Sequence, residues 1–199
     1  GLQSWYPFNG NANDESGNGN DGTVNGAVLT ANRAGTANAA YTFDGTSSYI
    51  SLSGNSGIVD DVSLSFWMKP FSTNDGYLLD RDICANGNGW AIYWANNGEI
   101  GLRYGVSGNV DYFLEDVTAS VGAWHHVVAV RDVTASELTL YLDGQFAGSI
   151  SFPTDPFPNT SIPIFVGESN CNPGINPNFL GDIDDIGIWD RVLTPQEVL

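Results

Sequence analysis

Apolar and polar residues alternate, or run together in short blocks, along most of this chain, with Gly, Asn, Asp and Pro between the blocks. Residues 124–130 form a near-continuous run of β-formers, residues 138–142 alternate, and Asp143-Gly144 follows as a pair that tolerates positive φ at a two-residue hairpin turn. Asn97-Gly98 does the same between runs at 90–94 and 99–104, so those two strands are expected side by side. Further strand-like runs lie at 4–8, 41–43, 49–52, 63–69, 77–82, 124–131, 137–142, 145–150, 164–166 and 183–189. Such regular punctuation predicts an all-β fold, a two-sheet antiparallel β-sandwich. Ser63 and Ser65 share one face of their run, which suits a surface that another layer covers closely or that stays open as a groove. The tail alone reads as helical. Thr194 as N-cap, Pro195 at the first helical position and Glu197 two residues on form a capping box, predicting a short C-terminal helical turn. Residues 152–164 carry Pro153, Pro156, Pro158 and Pro163 and read as an irregular connection.

At 199 residues the chain is expected to be a single domain spanning 1–199. It carries 23 acidic and 6 basic residues, a formal charge of −17, and Arg33, Lys69, Arg81, Arg103, Arg131 and Arg191 are scattered singly. A phosphate backbone or an anionic bilayer surface would be repelled, which makes nucleic acid and membranes poor partners. The acidity itself has two readings: solubility, or a few carboxylates that hold cations. No apolar run approaches the ~18 residues that span a bilayer, so no membrane insertion is expected. The chain opens at Gly1 without Met or a signal-like stretch, which fits a processed module, monomeric by itself, of a larger multidomain protein. Cys84 and Cys171 each sit in a Gly/Asn-rich loop, where cysteines of exported proteins pair more often than they stay free. A Cys84–Cys171 disulfide is expected, worth roughly 4 kcal/mol in the chain-entropy account. Zinc is disfavoured, since only His125 and His126 stand ready to join the cysteines and neither has ligand spacing.

The segment from Asn9 to Gly22 is dense in Asn, Asp and Gly. Calcium takes six to eight hard oxygens from carboxylates, amides, carbonyls and water, and this loop offers all but the water. It is not an EF-hand, because D-x-[DN]-x-[DN]-G is absent. The other reading is a solvated turn cluster. Asp44-Gly45 and Asp143-Gly144 read as turns rather than ligands.

Four segments carry a family resemblance: WYPFNGNANDESGNGNDG at 5–22, FDGTSSYI at 43–50, W-H-H-V at 124–127 with L-x-L-Y-L-D-G at 138–144, and GDIDDIGIWDRVLTPQEV at 181–198. Together they resemble the laminin-G-like domains, in particular the bacterial subgroup, of the concanavalin A-like superfamily. The resemblance implies a jelly-roll sandwich whose last strand often supplies a calcium-ligating Asp near its start, beside the N-terminal segment. Here that position matches Asp184. The sequence adds that Ile183 and Ile186 are three apart, so two-residue alternation breaks at Asp184-Asp185 and a bulge there would aim a carboxylate off the sheet. A structural Ca2+ site from Asp14, Asn20 and Asp184, with Asn9, is the resulting expectation.

Trp90, Tyr93, Trp94 and Tyr104 lie on one expected hairpin beside Asp80-Arg81-Asp82. Aromatic faces match the C–H surfaces of sugar rings, while Asp, Asn and Arg bond hydroxyls. Alternation sends Trp90 and Trp94 one way and Tyr93 the other, and the opposing reading of these rings is inter-sheet core. If the cysteines pair, the loop at 170–178 lies beside 80–90, and Asp80, Arg81, Trp90 and Asn170 become the expected ligand contacts. Catalysis is not expected: the E-x-D-x-x-E of related glucanases is absent, as is a G-x-S-x-G elbow. What remains is a non-catalytic, lectin-like module binding a polysaccharide or glycan, in a secreted or cell-surface bacterial protein. The alternative is a protein-interaction or structural spacer domain of a large surface adhesin.

Overall fold

The computed structural model describes residues 1–53, 60–83, 88–106, 110–153, 162–171 and 177–199. Its strands are β1 (Leu2–Tyr6), β2 (Gly22–Asn25), β3 (Val28–Thr30), β4 (Ala40–Asp44), β5 (Tyr49–Leu52), β6 (Val62–Pro70), β7 (Gly76–Ile83), β8 (Asn88–Trp94), β9 (Glu99–Val106), β10 (Val110–Thr118), β11 (His125–Asp132), β12 (Glu137–Leu142), β13 (Gln145–Ser151), β14 (Ile164–Val166) and β15 (Leu180–Trp189). They form two antiparallel sheets. The 8-stranded sheet runs β13-β12-β11-β6-β15-β4-β3 with β1 also on β15, and the 7-stranded sheet runs β10-β9-β8-β7-β14-β5-β2. Tyr6, Phe43, Phe66, Met68, Ile50, Trp94, Leu140 and Ile183 are among the residues that interdigitate between the sheets.

The two expected hairpins are present. Asp143 and Gly144 both have positive φ, 50° and 76°, between β12 and β13, and Asn97-Gly98 joins β8 to β9. The opening and closing strands pair, Leu2 opposite Trp189 and Tyr6 opposite Ile186. The irregularity read at Asp184-Asp185 is a bulge: the β15–β6 register shifts between Asp184 and Gly187, and Asp185 has φ 49°. Three strands were not read from the sequence, namely β2, β3 and β10.

The tail corrects one expectation. Residues 194–197 form a single hydrogen-bonded turn, and no helix occurs among the described residues. Half of the capping box forms: Thr194 N–H donates to Glu197 Oε2 (2.9 Å), but Glu197 N–H bonds the Thr194 carbonyl (2.9 Å) and the Thr194 hydroxyl itself donates to Glu197 Oε2 (3.1 Å). Arg191 holds the Glu197 carboxylate in a two-pronged pair, and Val198 joins a small apolar cluster with Val128, Val130 and Leu193. This cluster lies on the outer face of the 8-stranded sheet. Ser63 Oγ donates to the Arg191 carbonyl (2.7 Å) and accepts from Leu193 N–H (3.0 Å). The small serine therefore lets a second layer sit close, one of the two outcomes its face allowed. The same covering explains the near-continuous apolar run of β11: Val127 and Ala129 face the core while Val128 and Val130 face the tail.

Candidate ligand-binding groove

Strict alternation sorts the 7-stranded sheet into an inner and an outer face. One outer row reads Phe113, Arg103, Ala91, Asp80, Phe165, Ser51 and Thr23, each opposite the next across the strands. The adjacent row brings Asp111, Gly105, Gly89 and Asp82 together. On the other side Tyr77 stands opposite Tyr93, and Tyr93 opposite Gly101. Gly101 leaves no side chain on this face, so the Tyr93 ring lies down across it and its hydroxyl reaches Glu115 Oε1 at 2.7 Å. Burial and the Glu115 carboxylate together push the Tyr93 phenol pKa up.

Charges on this face are tied to one another. Arg103 bonds Asp82 through Nη1 and Asp111 through Nη2 (3.0 Å). The chain after β14 folds back over β7: Asn170 N–H donates to Asp80 Oδ2 (3.2 Å) and Asn170 Nδ2 to the Asp82 carbonyl (2.9 Å). The space left between this cover and β10 is a groove of ≈ 290 Å³ lined by Asp75, Tyr77, Tyr93, Arg103, Phe113 and Pro177. Asp75 and Pro177 also line a neighbouring groove of ≈ 510 Å³ with Asp44, Asn74, Asn96 and Asn178. The two share a wall, and their sizes fall in the range of small-ligand sites. Phe113 is 50% exposed, a large aromatic presented to solvent at the mouth.

The expected contacts divide. Asp80 and Asn170 come together on the outer face, as the reading of that loop required, but Asp80 is fully buried beneath the cover. Arg81 and Trp90 are opposite one another on the inner face, 6% and 5% exposed, where Trp90 packs in the inter-sheet core. Trp94 and Tyr104 are core as well; of the hairpin aromatics Tyr93 lines the groove from the outer face, and Trp94, itself 1% exposed, reaches its wall. Tyr77, Arg103, Phe113 and Asn178 were not picked out from sequence. The available signal was the alternation of Asp111, Phe113 and Glu115 against Leu114, in a segment whose acidic residues hid a strand.

The N-terminal loop is built around Asp14. Its Oδ1 accepts N–H bonds from Trp5 (3.0 Å) and Ser16 (2.9 Å), and its Oδ2 one from Asn20 (3.0 Å). Burial opposes its charge, yet these amides outweigh burial and hold the carboxyl below its usual range. The Asn20 side-chain amide donates to the Gln3 carbonyl and Ser4 Oγ, and Asn9 is exposed. Asp184 is 1% exposed and bonds Arg33 Nη1 at 3.0 Å. A calcium ion at Asp14 would meet converging N–H dipoles, and at Asp184 a guanidinium. In this arrangement Asp14 is turned to the loop's own amides and Asp184 to Arg33, and among the described residues no three His, Cys, Asp or Glu side chains are grouped to hold a metal. Asp14→Ala and Asp184→Asn are expected to leave unchanged any shift that millimolar calcium produces in the thermal midpoint; loss of such a shift in either variant would restore an ion at this corner.

Buried carboxylates give the fold a pH dependence. Desolvation, helped by Asp82, pushes Asp80 up to about 6 against the bonds from Ser169 and Asn170. Desolvation and the Asp185 charge push Asp184 up to about 7 against Arg33. Both native carboxyls hold protons more tightly than the unfolded chain does, so stability falls as pH rises from about 4 through these values. The chain is expected to melt higher at pH 5 than at pH 8. Asp80→Asn should flatten the slope between pH 4 and 6 by about 2–3 kcal/mol, and unchanged slopes in denaturant titrations would remove Asp80 as its source.

One cluster has the outline of a catalytic set. Ser120 Oγ lies 2.9 Å from His125 Nε2, and His125 Nδ1 2.9 Å from Asp143 Oδ2. Its surroundings make it a clasp: the Ser120 N–H also bonds Nε2, Asp143 Oδ1 takes the His126 N–H, and the neighbouring amides of Ala119 and Gly122 donate to the Gly98 and Pro70 carbonyls. Those amides are therefore not free to stabilise an oxyanion.

The jelly-roll sheets and a groove on one outer face frame the comparison with known proteins. A sequence model of the laminin G type, described as the concanavalin A-like lectin/glucanases superfamily, matches residues 44–199. The chain belongs to this superfamily. Among relatives of this concanavalin A-like domain, the mouse "Sushi, von Willebrand factor type A, EGF and pentraxin domain-containing protein 1" is 23% identical over 81% of this chain. The match spans only 5% of that protein's length. Guinea pig (Cavia porcellus) C-reactive protein is 25% identical over 69% of this chain and 61% of its own. Among solved structures, domain 4 of AbnA, an extracellular GH43 arabinanase from Geobacillus stearothermophilus in complex with arabinotriose, superposes with a TM-score of 0.77 at 22% identity, covering 99% of this chain and 96% of that one. The botulinum neurotoxin serotype D ligand-binding domain in complex with N-acetylneuraminic acid gives 0.75 at 18% identity, covering 98% of this chain and 48% of that one. At these identities the structural likeness shows the fold alone.

Proposed function

We propose that this concanavalin A-like domain, residues 1–199, is a non-catalytic carbohydrate-binding module that takes a hydroxyl-rich glycan along the paired grooves on the outer face of its 7-stranded sheet. The observation that carries the reading is the composition of that groove. Tyr77, Tyr93 and Phe113 offer aromatic surface beside Asp75, Asn74, Asn96 and Asn178, which bond hydroxyls. Flat aromatic faces bind the C–H side of a pyranose or furanose, and amides and carboxylates fix its orientation. The likeness to an arabinanase domain complexed with arabinotriose supports the same class of ligand. A location outside the cell, at or beyond a bacterial surface, belongs to this reading, as does the Cys84–Cys171 disulfide. Residue 84 lies outside the described residues; in favour of the pair, Asn170 is bonded to the backbone of Asp82, two positions before Cys84.

Isothermal titration against linear oligosaccharides tests the proposal. Binding is expected, with Tyr93→Ala and Phe113→Ala each lowering affinity at least about tenfold, or ~1.4 kcal/mol. Silence across plant, algal and host glycans would instead favour a protein-interaction or spacer role.

A further inference from the structure

We infer that the groove selects uncharged sugars and rejects those bearing carboxylate or sulfate groups, an inference that rests on the carbohydrate-binding reading. Arg103 is the one Lys or Arg among the described lining residues, and its guanidinium already bonds two carboxylates, those of Asp82 and Asp111. Both prongs that would grip an anionic sugar are therefore occupied, and the trio keeps a net negative charge. The rest of the lining adds carboxylates: Asp75 sits where the two grooves meet and Asp44 lies in the larger one, with Glu115 beside Tyr93. Of the other five basic side chains, Arg33 pairs with Asp184 and Asp185, Lys69 with Asp182 and Arg191 with Glu197, while Arg81 and Arg131 are buried on the inner side of their sheets. A uronate or sialate entering this space meets like charges with no cation to spare.

A second observation points to a neutral polar ligand. Asn178 lines the larger groove, is 4% exposed, and neither its Oδ1 nor its Nδ2 has a hydrogen-bond partner. Native structures satisfy nearly all such groups, so an orphaned amide at a groove wall is a feature a ligand would complete. One acceptor and one two-proton donor on the same side chain match a hydroxyl, which both donates and accepts. A carboxylate, acceptor only, would leave Oδ1 facing a negative charge.

The test is titration calorimetry of the whole chain at pH 7.5 with two panels of matched length: neutral arabino-, xylo-, gluco- and galacto-oligosaccharides, and anionic oligogalacturonides, oligoalginates and sialyllactose, at 20 and 500 mM NaCl. The expected result is binding within the neutral panel, at least about thirtyfold tighter than any anionic member at low salt, with the gap narrowing at high salt as screening increases. Asn178→Ala should weaken the neutral ligand about tenfold without changing the ranking. An anionic sugar bound as tightly as the best neutral one, or more tightly, overturns the selectivity and leaves carbohydrate binding standing. Silence from both panels overturns carbohydrate binding itself.

Discussion

Arg131→Ala is expected to lower the thermal midpoint by about 10 °C, corresponding to roughly 3–4 kcal/mol for a domain of this size. Arg131 stands opposite Val62 and Leu138 on the inner face of β11 and is 2% exposed, so its side chain runs between the two sheets. There its guanidinium lies 5.2 Å from the Tyr104 ring centroid and 5.0 Å from that of Phe152, one prong donates to the Tyr104 hydroxyl (2.9 Å), and another to the Asp60 carbonyl. A charge so placed depends on stacked faces and acceptors of this kind. Truncation removes the stack and both hydrogen bonds and opens a cavity between the sheets, and the lost bonds and the cavity add. Arg131→Met separates them, since it fills most of the volume without the bonds. Methionine should recover about half of the loss. An alanine variant that melts within about 2 °C of the parent would show that Arg131 does not join the sheets.

How much of this was readable beforehand depended on which physical signal each residue carried. Hairpins at Asn97-Gly98 and Asp143-Gly144 are local events, decided by backbone conformation at two adjacent residues, and both formed where expected. The bulge at Asp185 was legible because it breaks a periodicity. β10 was not, because its outward positions carry Asp111 and Glu115, and an edge strand with charges on its solvent face looks like a loop. The groove was harder still. Aromatic content drew attention to Trp90, but facing follows from register, and register set Trp90 and Arg81 inward with Tyr93 outward. Asp14 shows a different limit: an Asn/Asp/Gly loop is rich in oxygens whether they turn toward an ion or accept the loop's own amides. Here three amide bonds occupy that carboxylate.

Gly101→Ala should abolish most glycan binding while leaving the fold intact. Gly101 faces Tyr93 across the β8–β9 ladder, and a Cβ added there would fall among Cζ, Cε2 and Oη of the tyrosine ring. Those atoms are the far end of a side chain that can rotate about χ1, whereas the backbone beneath is paired with β8 at Gly101 itself and with β10 through its neighbours Ile100 and Leu102, on either side of a bulge. The ring therefore lifts and the sheet stays, giving up the Glu115 bond and the flat floor of the groove. A loss of at least about tenfold in affinity is expected, with the thermal midpoint lowered by no more than about 4 °C, the equivalent of ~1–2 kcal/mol. A double-mutant cycle isolates the cause. In a Tyr93→Ala background the added methyl meets no ring, so Gly101→Ala should then change affinity by less than about twofold. Full additivity of the two substitutions would mean that Gly101 acts through something other than the tyrosine, and the groove floor would have to be sought elsewhere on the sheet.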